Sequence, residues 1–252
     1  MSLRHLYILT GASRGMGRAM AEQLLSPLHM LVCLSRKTDN ALALQAQQAG
    51  CALAQWPQDL AQAEAVATRL AQWLRAQDGN AYASATLVNN AGVIPHIAPL
   101  SAIAPAELAQ ALRVGLEAPL ALTAAFLAAT DHWPGARRVL NISSGLGRRP
   151  MASQAPYCAA KAGMDHFTRC LALEEALKPN GAKVCSLAPG VIDTDMQVQL
   201  RGADAAEFPD RARFEQLKSG GLLDSPEAAA RKVLAYLARP DFGAEPVADV
   251  RG

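Results

Sequence analysis

The sequence predicts an α/β fold, a doubly wound parallel sheet of seven strands with helices on both faces, and three observations lead there. Short apolar runs rich in β-formers alternate with longer Ala/Leu-rich segments along nearly the whole chain, the pattern of repeated strand–helix units. Of the 252 residues 51% are apolar and 18% charged, enough for one sizeable core. No repeat of fixed period and no low-complexity linker divides the chain, so residues 1–252 read as one domain.

Taken in order, a first strand at 6–10 runs directly into Thr10-Gly11-Ala12-Ser13-Arg14-Gly15-Met16-Gly17 and a helix at 15–25. A second strand at 30–34 ends in Ser35-Arg36-Lys37 and leads to a helix at 40–49, and a third at 52–56 precedes a helix at 62–76. The fourth, 86–89, ends in Asn89-Asn90-Ala91-Gly92, and a long Ala/Leu-rich helix follows at 105–127. The fifth, 138–142, ends in Ile142-Ser143-Ser144, and Tyr157 opens a helix at 157–177. The sixth, 183–187, is followed by Pro189-Gly190 and by a polar, irregular insertion at 195–224, read as a substrate lid because open α/β sheets bind ligands beyond the carboxyl ends of their strands. A helix at 226–238 and a seventh strand at 246–250 complete the pattern.

Composition excludes several classes of function. Twenty-four Lys and Arg against 22 Asp and Glu leave +2, with no basic block, so neither nucleic acid nor an anionic membrane is an expected partner. No uninterrupted apolar run reaches about 18 residues and no leader pattern opens the chain, which predicts a cytoplasmic protein. Cys33, Cys51, Cys158, Cys170 and Cys185 are odd in number, scattered and without a Cys-x-x-Cys pair, and the five histidines lie apart from them. Neither a disulfide framework nor a metal site is suggested, and the cysteines read as buried small hydrophobes.

Three features carry chemistry. Glycines where a strand turns into a helix let the backbone approach a pyrophosphate, which the helix N-terminus attracts. At the end of the second strand, where a carboxylate would hold the ribose hydroxyls of NAD, stand Arg36 and Lys37, and Arg14 lies in the glycine loop; cations there suit the 2′-phosphate of NADP. Tyr157 and Lys161, four apart, share one helix face, where a neighbouring cation favours a phenolate and makes the hydroxyl a usable proton donor near neutrality. Ser143 and Ser144 offer a hydroxyl to the same carbonyl.

In this combination and order, with Asp59-Leu60 between, the chain resembles the short-chain dehydrogenase/reductase family over essentially its whole length. The resemblance implies a Rossmann-type domain, an NADP(H) cofactor and a small-molecule carbonyl substrate. It implies that Tyr157 donates the proton, that Lys161 binds the nicotinamide ribose and depresses the tyrosine pKa, and that Ser144, thirteen positions before Tyr157, polarises the carbonyl. Gly11, Ser13, Arg14, Gly15, Met16 and Gly17 would cradle the phosphates, Arg36 the 2′-phosphate, and Asp59 and Leu60 the adenine. Asn90, Ala91 and Gly92 would line the central path, and Pro189, Gly190, Val191, Ile192 and Thr194 would hold the carboxamide. The family's long helix usually carries an asparagine in a Val-Asn-Leu-like run, whose main-chain carbonyl holds a water on the proton path at a helix distortion. Here the run is Arg113-Val114-Gly115-Leu116, so a weakened or rearranged relay is expected.

With Asp193-Thr194-Asp195-Met196-Gln197, Leu217-Lys218-Ser219-Gly220-Gly221-Leu222-Leu223 and Ser225-Pro226, the C-terminal third resembles the sepiapterin and benzil reductase branch, where Asp249 matches an aspartate that anchors the pterin substrate. His96, Trp133 and Met151 are further candidates for the substrate pocket. The family commonly pairs the helices at 105–127 and 157–177 between subunits, which makes a homodimer or homotetramer the expected assembly. The preferred reading is an NADPH-dependent carbonyl reductase acting on a vicinal dicarbonyl or on a side-chain diketone of a pterin. An NAD-linked secondary alcohol dehydrogenase and a non-catalytic NADPH-binding regulator are the alternatives.

Overall fold

A computed structural model describes residues 3–251. Seven parallel strands, β1 (Arg4–Thr10), β2 (His29–Ser35), β3 (Ala52–Pro57), β4 (Tyr82–Asn89), β5 (Ala136–Ile142), β6 (Lys183–Ala188) and β7 (Val247–Asp249), form one sheet in the order β3-β2-β1-β4-β5-β6-β7. The order reverses between β1 and β4, and that switch leaves a crevice at the carboxyl ends of the strands.

Both sheet faces are buried, so the strands read as nearly continuous apolar runs. Leu6, Ile8, Val32, Leu34, Leu87 and Val139 point to one side, against α3 (Ala63–Arg75), α5 (Ala118–Thr130) and α6 (Ala155–Ala176). Their neighbours Leu9, Leu31, Cys33, Val88 and Leu140 point to the other, against α1 (Gly15–Gln23), α2 (Asn40–Gln48) and α9 (Pro226–Leu237). Cys33, Cys51 and Cys185 are buried, but Cys158 is half-buried and Cys170 exposed, so burial does not account for all five cysteines.

Two elements depart from the sequence reading. The long helix is not continuous: α4 (Pro105–Leu112) passes through a π-turn at Arg113–Glu117 into α5. Pro119 has no N–H, so the carbonyl of Gly115, four residues earlier, lacks the donor an α-helix would give it. The stretch Pro105–Thr130 is apolar and long enough to cross a membrane by length and composition, and half of its most apolar 18-residue window is buried in the protein. The insertion is not irregular either. It forms α7 (Asp195–Gly202) and α8 (Arg211–Ser219), and Leu200, Phe208 and Phe214 build a small separate core with Ile97. Its ends are pinned together where Asp193 N–H donates to the Asp224 carbonyl and Asp224 N–H to that of Val191, both at 2.9 Å.

Candidate active site

The glycine loop is shaped by close backbone approach. Gly11 has φ +72° and Gly15 φ +53°, left-handed conformations that favour glycine. A Cβ on Gly17 would lie 2.1 Å from the Gly11 carbonyl oxygen. The loop is stapled to the one after β4: Thr10 Oγ1, buried, accepts from Asn90 N–H at 2.9 Å and Ala91 N–H at 3.0 Å, while Asn90 Nδ2 donates to the Thr10 carbonyl at 2.9 Å. Asn89 Nδ2 donates to Asn141 Oδ1, and Asn141 Nδ2 to Thr168 Oγ1, a buried polar chain tying β4, β5 and α6 together behind the site.

These loops open onto one cavity of about 920 Å³ along the carboxyl edge of the sheet. Its walls include Gly11, Ser13, Arg14, Gly15, Met16, Gly17, Arg36, Asp59, Leu60, Asn90, Ala91 and Gly92, and beyond them Ser144, Tyr157, Lys161 and the segment Pro189, Gly190, Val191, Ile192 and Thr194. Arg36 is exposed, and among the described residues it has no ion-pair partner. Arg14 is held by Asp195 of α7 at 2.8 Å. Lys37 is not part of the cavity wall.

At the other end, Ser144 is extended (φ −156°, ψ 155°) and its hydroxyl accepts from Leu146 N–H at 3.2 Å. Ser143 turns away: its hydroxyl donates to Asp165 at 2.5 Å, which leaves Ser144 as the hydroxyl of the pair that meets Tyr157. Tyr157 and Lys161 lie on the first turns of α6, both buried, with Lys161 Nζ 5.7 Å from the tyrosine ring centroid and donating to the Ile142 carbonyl at 2.6 Å. Burial pushes the Tyr157 phenol up to about 12, against a downward pull from the Ser144 hydrogen bond. The depressed tyrosine expected beside Lys161 is not found in this structure, because burial disfavours the phenolate more than the Ser144 hydrogen bond favours it, and Cys158 adds to the rise. Burial also brings Lys161 down to about 8, opposed by the charge of Asp165.

A family model described as short chain dehydrogenase matches residues 5–205. The chain belongs to the short-chain dehydrogenase family. It is 34% identical to a benzil reductase, (S)-benzoin forming, of Bacillus cereus, over 93% of this chain and 94% of the relative. It is also 34% identical to a sepiapterin reductase of Meriones unguiculatus, over 93% and 92%. A solved metagenomic short-chain oxidoreductase in complex with NADP superposes with a TM-score of 0.73 at 27% identity, covering 99% of this chain and 96% of that one. The protein is therefore a short-chain oxidoreductase of the kind that acts on carbonyl and alcohol groups.

As a member of this family, the chain fits a nicotinamide dinucleotide at its glycine-lined end, where Gly11 and Gly17 let the loop close on itself and on the loop after β4 at distances that a Cβ would not allow. Three candidates from the sequence lie elsewhere. Asp249 is not among the walls; Arg251 binds its carboxylate at 2.7 and 2.8 Å, and it is Arg251 that faces the cavity. Trp133 is buried in the core and stacked on Tyr82, and His96 lines a separate shallow pocket. Met151 is a wall residue, joined by Gln110, Arg149, Gln154, Arg213 and Phe214, which no local motif marks because loop and lid geometry brings them in. Gly115 sits in the π-turn, where a Cβ would lie 3.0 Å from that of Ala160 on α6. The distortion thus exists with glycine, and close helix packing explains the small residue.

Proposed function

We propose that this short-chain dehydrogenase is an NADPH-dependent carbonyl reductase whose substrate is a vicinal dicarbonyl. The observation that carries the reading is the convergence of the Ser144 hydroxyl, the Tyr157 phenol and the buried Lys161 ammonium on the cavity that the glycine loop and Arg36 also line. When bound, the nicotinamide supplies the hydride. Ser144 orients and polarises the carbonyl oxygen, and Tyr157 donates its proton to that oxygen as charge develops. Lys161 holds the nicotinamide ribose and stabilises the phenolate left on Tyr157. The Gly115 carbonyl, which Pro119 deprives of an α-helical donor, would be free to accept from a water on the proton path to Lys161, without the side-chain bonds of the family's asparagine, in keeping with the weakened or rearranged relay expected there. Arg36 takes the 2′-phosphate, with Arg14 once that guanidinium leaves Asp195. The two relatives named for benzil and sepiapterin support a dicarbonyl or pterin substrate. The carboxylate of Asp249, already held by Arg251, favours the dicarbonyl over the pterin.

The pH dependence follows from the two buried groups. Tyr157, at about 12, stays protonated and able to donate throughout the neutral range. Lys161 is charged below about 8 and loses its proton above. The kcat/KM for reduction is therefore expected to be level below pH 8 and to fall above it.

Initial rates with NADPH and NADH on benzil, sepiapterin and simple ketones test the reading, beside a Tyr157→Phe control. Turnover that prefers NADPH and a dicarbonyl, lowered about 10²–10⁴-fold in the control, is the expected result. Tight NADPH binding with no turnover of any carbonyl would overturn it. The reading includes a cytoplasmic homodimer or homotetramer joined through α4, α5 and α6, which carry the exposed Leu112, Leu120 and Leu173.

A further inference from the structure

Behind the cavity, and not among its walls, lies a carboxylate that the reduction does not use directly. Asp165 of α6 is 1% exposed, four residues after Lys161 and so on the same helix face. Its Oδ1 accepts from Ser143 Oγ at 2.5 Å and from Ser186 Oγ of β6 at 2.7 Å. Among the described residues its Oδ2 has no hydrogen-bond donor, and it stands 3.5 Å from Arg148 Nε. Arg148 in turn donates to the Ala248 carbonyl of β7 at 3.0 Å. A carboxylate at this depth is costly, and packing alone would be served by an apolar side chain.

We propose that Asp165 is a positioning residue for the reduction: it anchors Ser143, so that the adjoining Ser144 faces the cavity, and it sets a negative charge one helical turn beyond the buried Lys161. The inference rests on the reading of Ser144, Tyr157 and Lys161 as the reacting groups. Successive residues of an extended chain point to opposite sides, so fixing Ser143 toward Asp165 fixes Ser144 away from it. For Lys161, burial favours the neutral amine, and Asp165 is the group whose charge opposes this. The other ionisable groups on α6 and the elements packed against it here include Tyr157, Arg148, Cys185 on β6, Arg113 and Glu117 of the π-turn and Asp249 on β7. Of the cations among the described residues, Arg148 is the one within ion-pair distance of Asp165, and it tempers the carboxylate's field.

The geometry gives two substitutions opposite effects on Lys161. Asp165→Asn removes the negative charge at nearly constant shape, so the Lys161 midpoint falls, by about one pH unit for a neighbouring charge lost. Arg148→Met removes the tempering cation, and the midpoint rises. Carbon-13 labelling of lysine Cε reads this midpoint without turnover, in the wild type and both variants with NADP⁺ bound, and six lysines keep the spectrum simple. The alkaline limb of kcat/KM is expected to move with it, down in one variant and up in the other, and Asp165→Glu to keep it near the wild-type position. A purely structural role for Asp165 would lower Tm and leave the midpoints alone. An unmoved midpoint in folded Asp165→Asn overturns the inference. If that variant does not fold, an unmoved midpoint in Arg148→Met, altered at a side chain one-third exposed, overturns it instead. A wild type that reduces no carbonyl would defeat the functional reading, a different result from an unmoved Lys161.

Discussion

Arg36 and Arg14 present the same guanidinium to the cofactor end of the cavity, but only Arg14 is engaged, with Asp195 at 2.8 Å. Both partners are more than three-fifths exposed, so their ion pair contributes at most about 1 kcal/mol to the fold. Asp195→Ala is therefore expected to leave Tm unchanged and, by freeing Arg14, to tighten NADPH up to about fivefold without affecting NADH. Arg36→Ala is expected to weaken NADPH about 10–100-fold, the worth of a charge-assisted hydrogen bond, again with NADH unaffected. Fluorescence titration with the two cofactors checks both. Gly115 gives a residue-scale prediction of another kind. In Gly115→Asn the new Cβ meets Ala160 at 3.0 Å, so denaturant unfolding is expected to show a loss of about 1–3 kcal/mol, part of it recovered by adding Ala160→Gly.

Between elements, the site depends on loops fastened to one another by buried polar groups. Thr10 Oγ1 accepts two backbone N–H groups from the loop after β4, and Thr10→Val leaves both without an acceptor. The loss is expected to be about 1–3 kcal/mol by thermal unfolding, with NADPH and NADH weakened alike, which separates it from the NADPH-selective effect at Arg36. The strands and most helices were legible because two-faced burial writes long apolar runs and because Pro105 and Pro226 mark helix starts. The break at Arg113–Glu117 was not legible in the periodicity, and only the family resemblance placed a helix distortion there, since it depends on Pro119 lying four residues after Gly115 and on the approach of Ala160 from α6. Nor were α7 and α8, whose small core is completed by Ile97, about a hundred residues earlier in the chain.

On the scale of the whole molecule, the reversal of strand order between the neighbouring β1 and β4 at the centre of the sheet gathers loops from distant parts of the chain onto one cavity. The outward leucines remain: Leu173 is 74% and Leu177 87% exposed at the end of α6. Sedimentation at micromolar concentration is expected to give a dimer or tetramer, and Leu173→Glu to shift it toward monomer; a monomeric wild type would remove the oligomer from the reading. By itself the sequence determined the fold class, the glycine turn and the Tyr157–Lys161 pair, because each is written locally, in periodicity, in a glycine turn or in a four-residue helical spacing, whereas Asp59, Leu60, the preference for Ser144 and the segment 189–194 came from the family resemblance. Tertiary structure alone decided that the Ser143 hydroxyl belongs to Asp165, that Asp249 is taken by Arg251, and that burial sets Tyr157 high and Lys161 low. Those outcomes depend on which distant groups meet and on how far water is excluded around them, and neither is encoded in the spacing of neighbours along the chain.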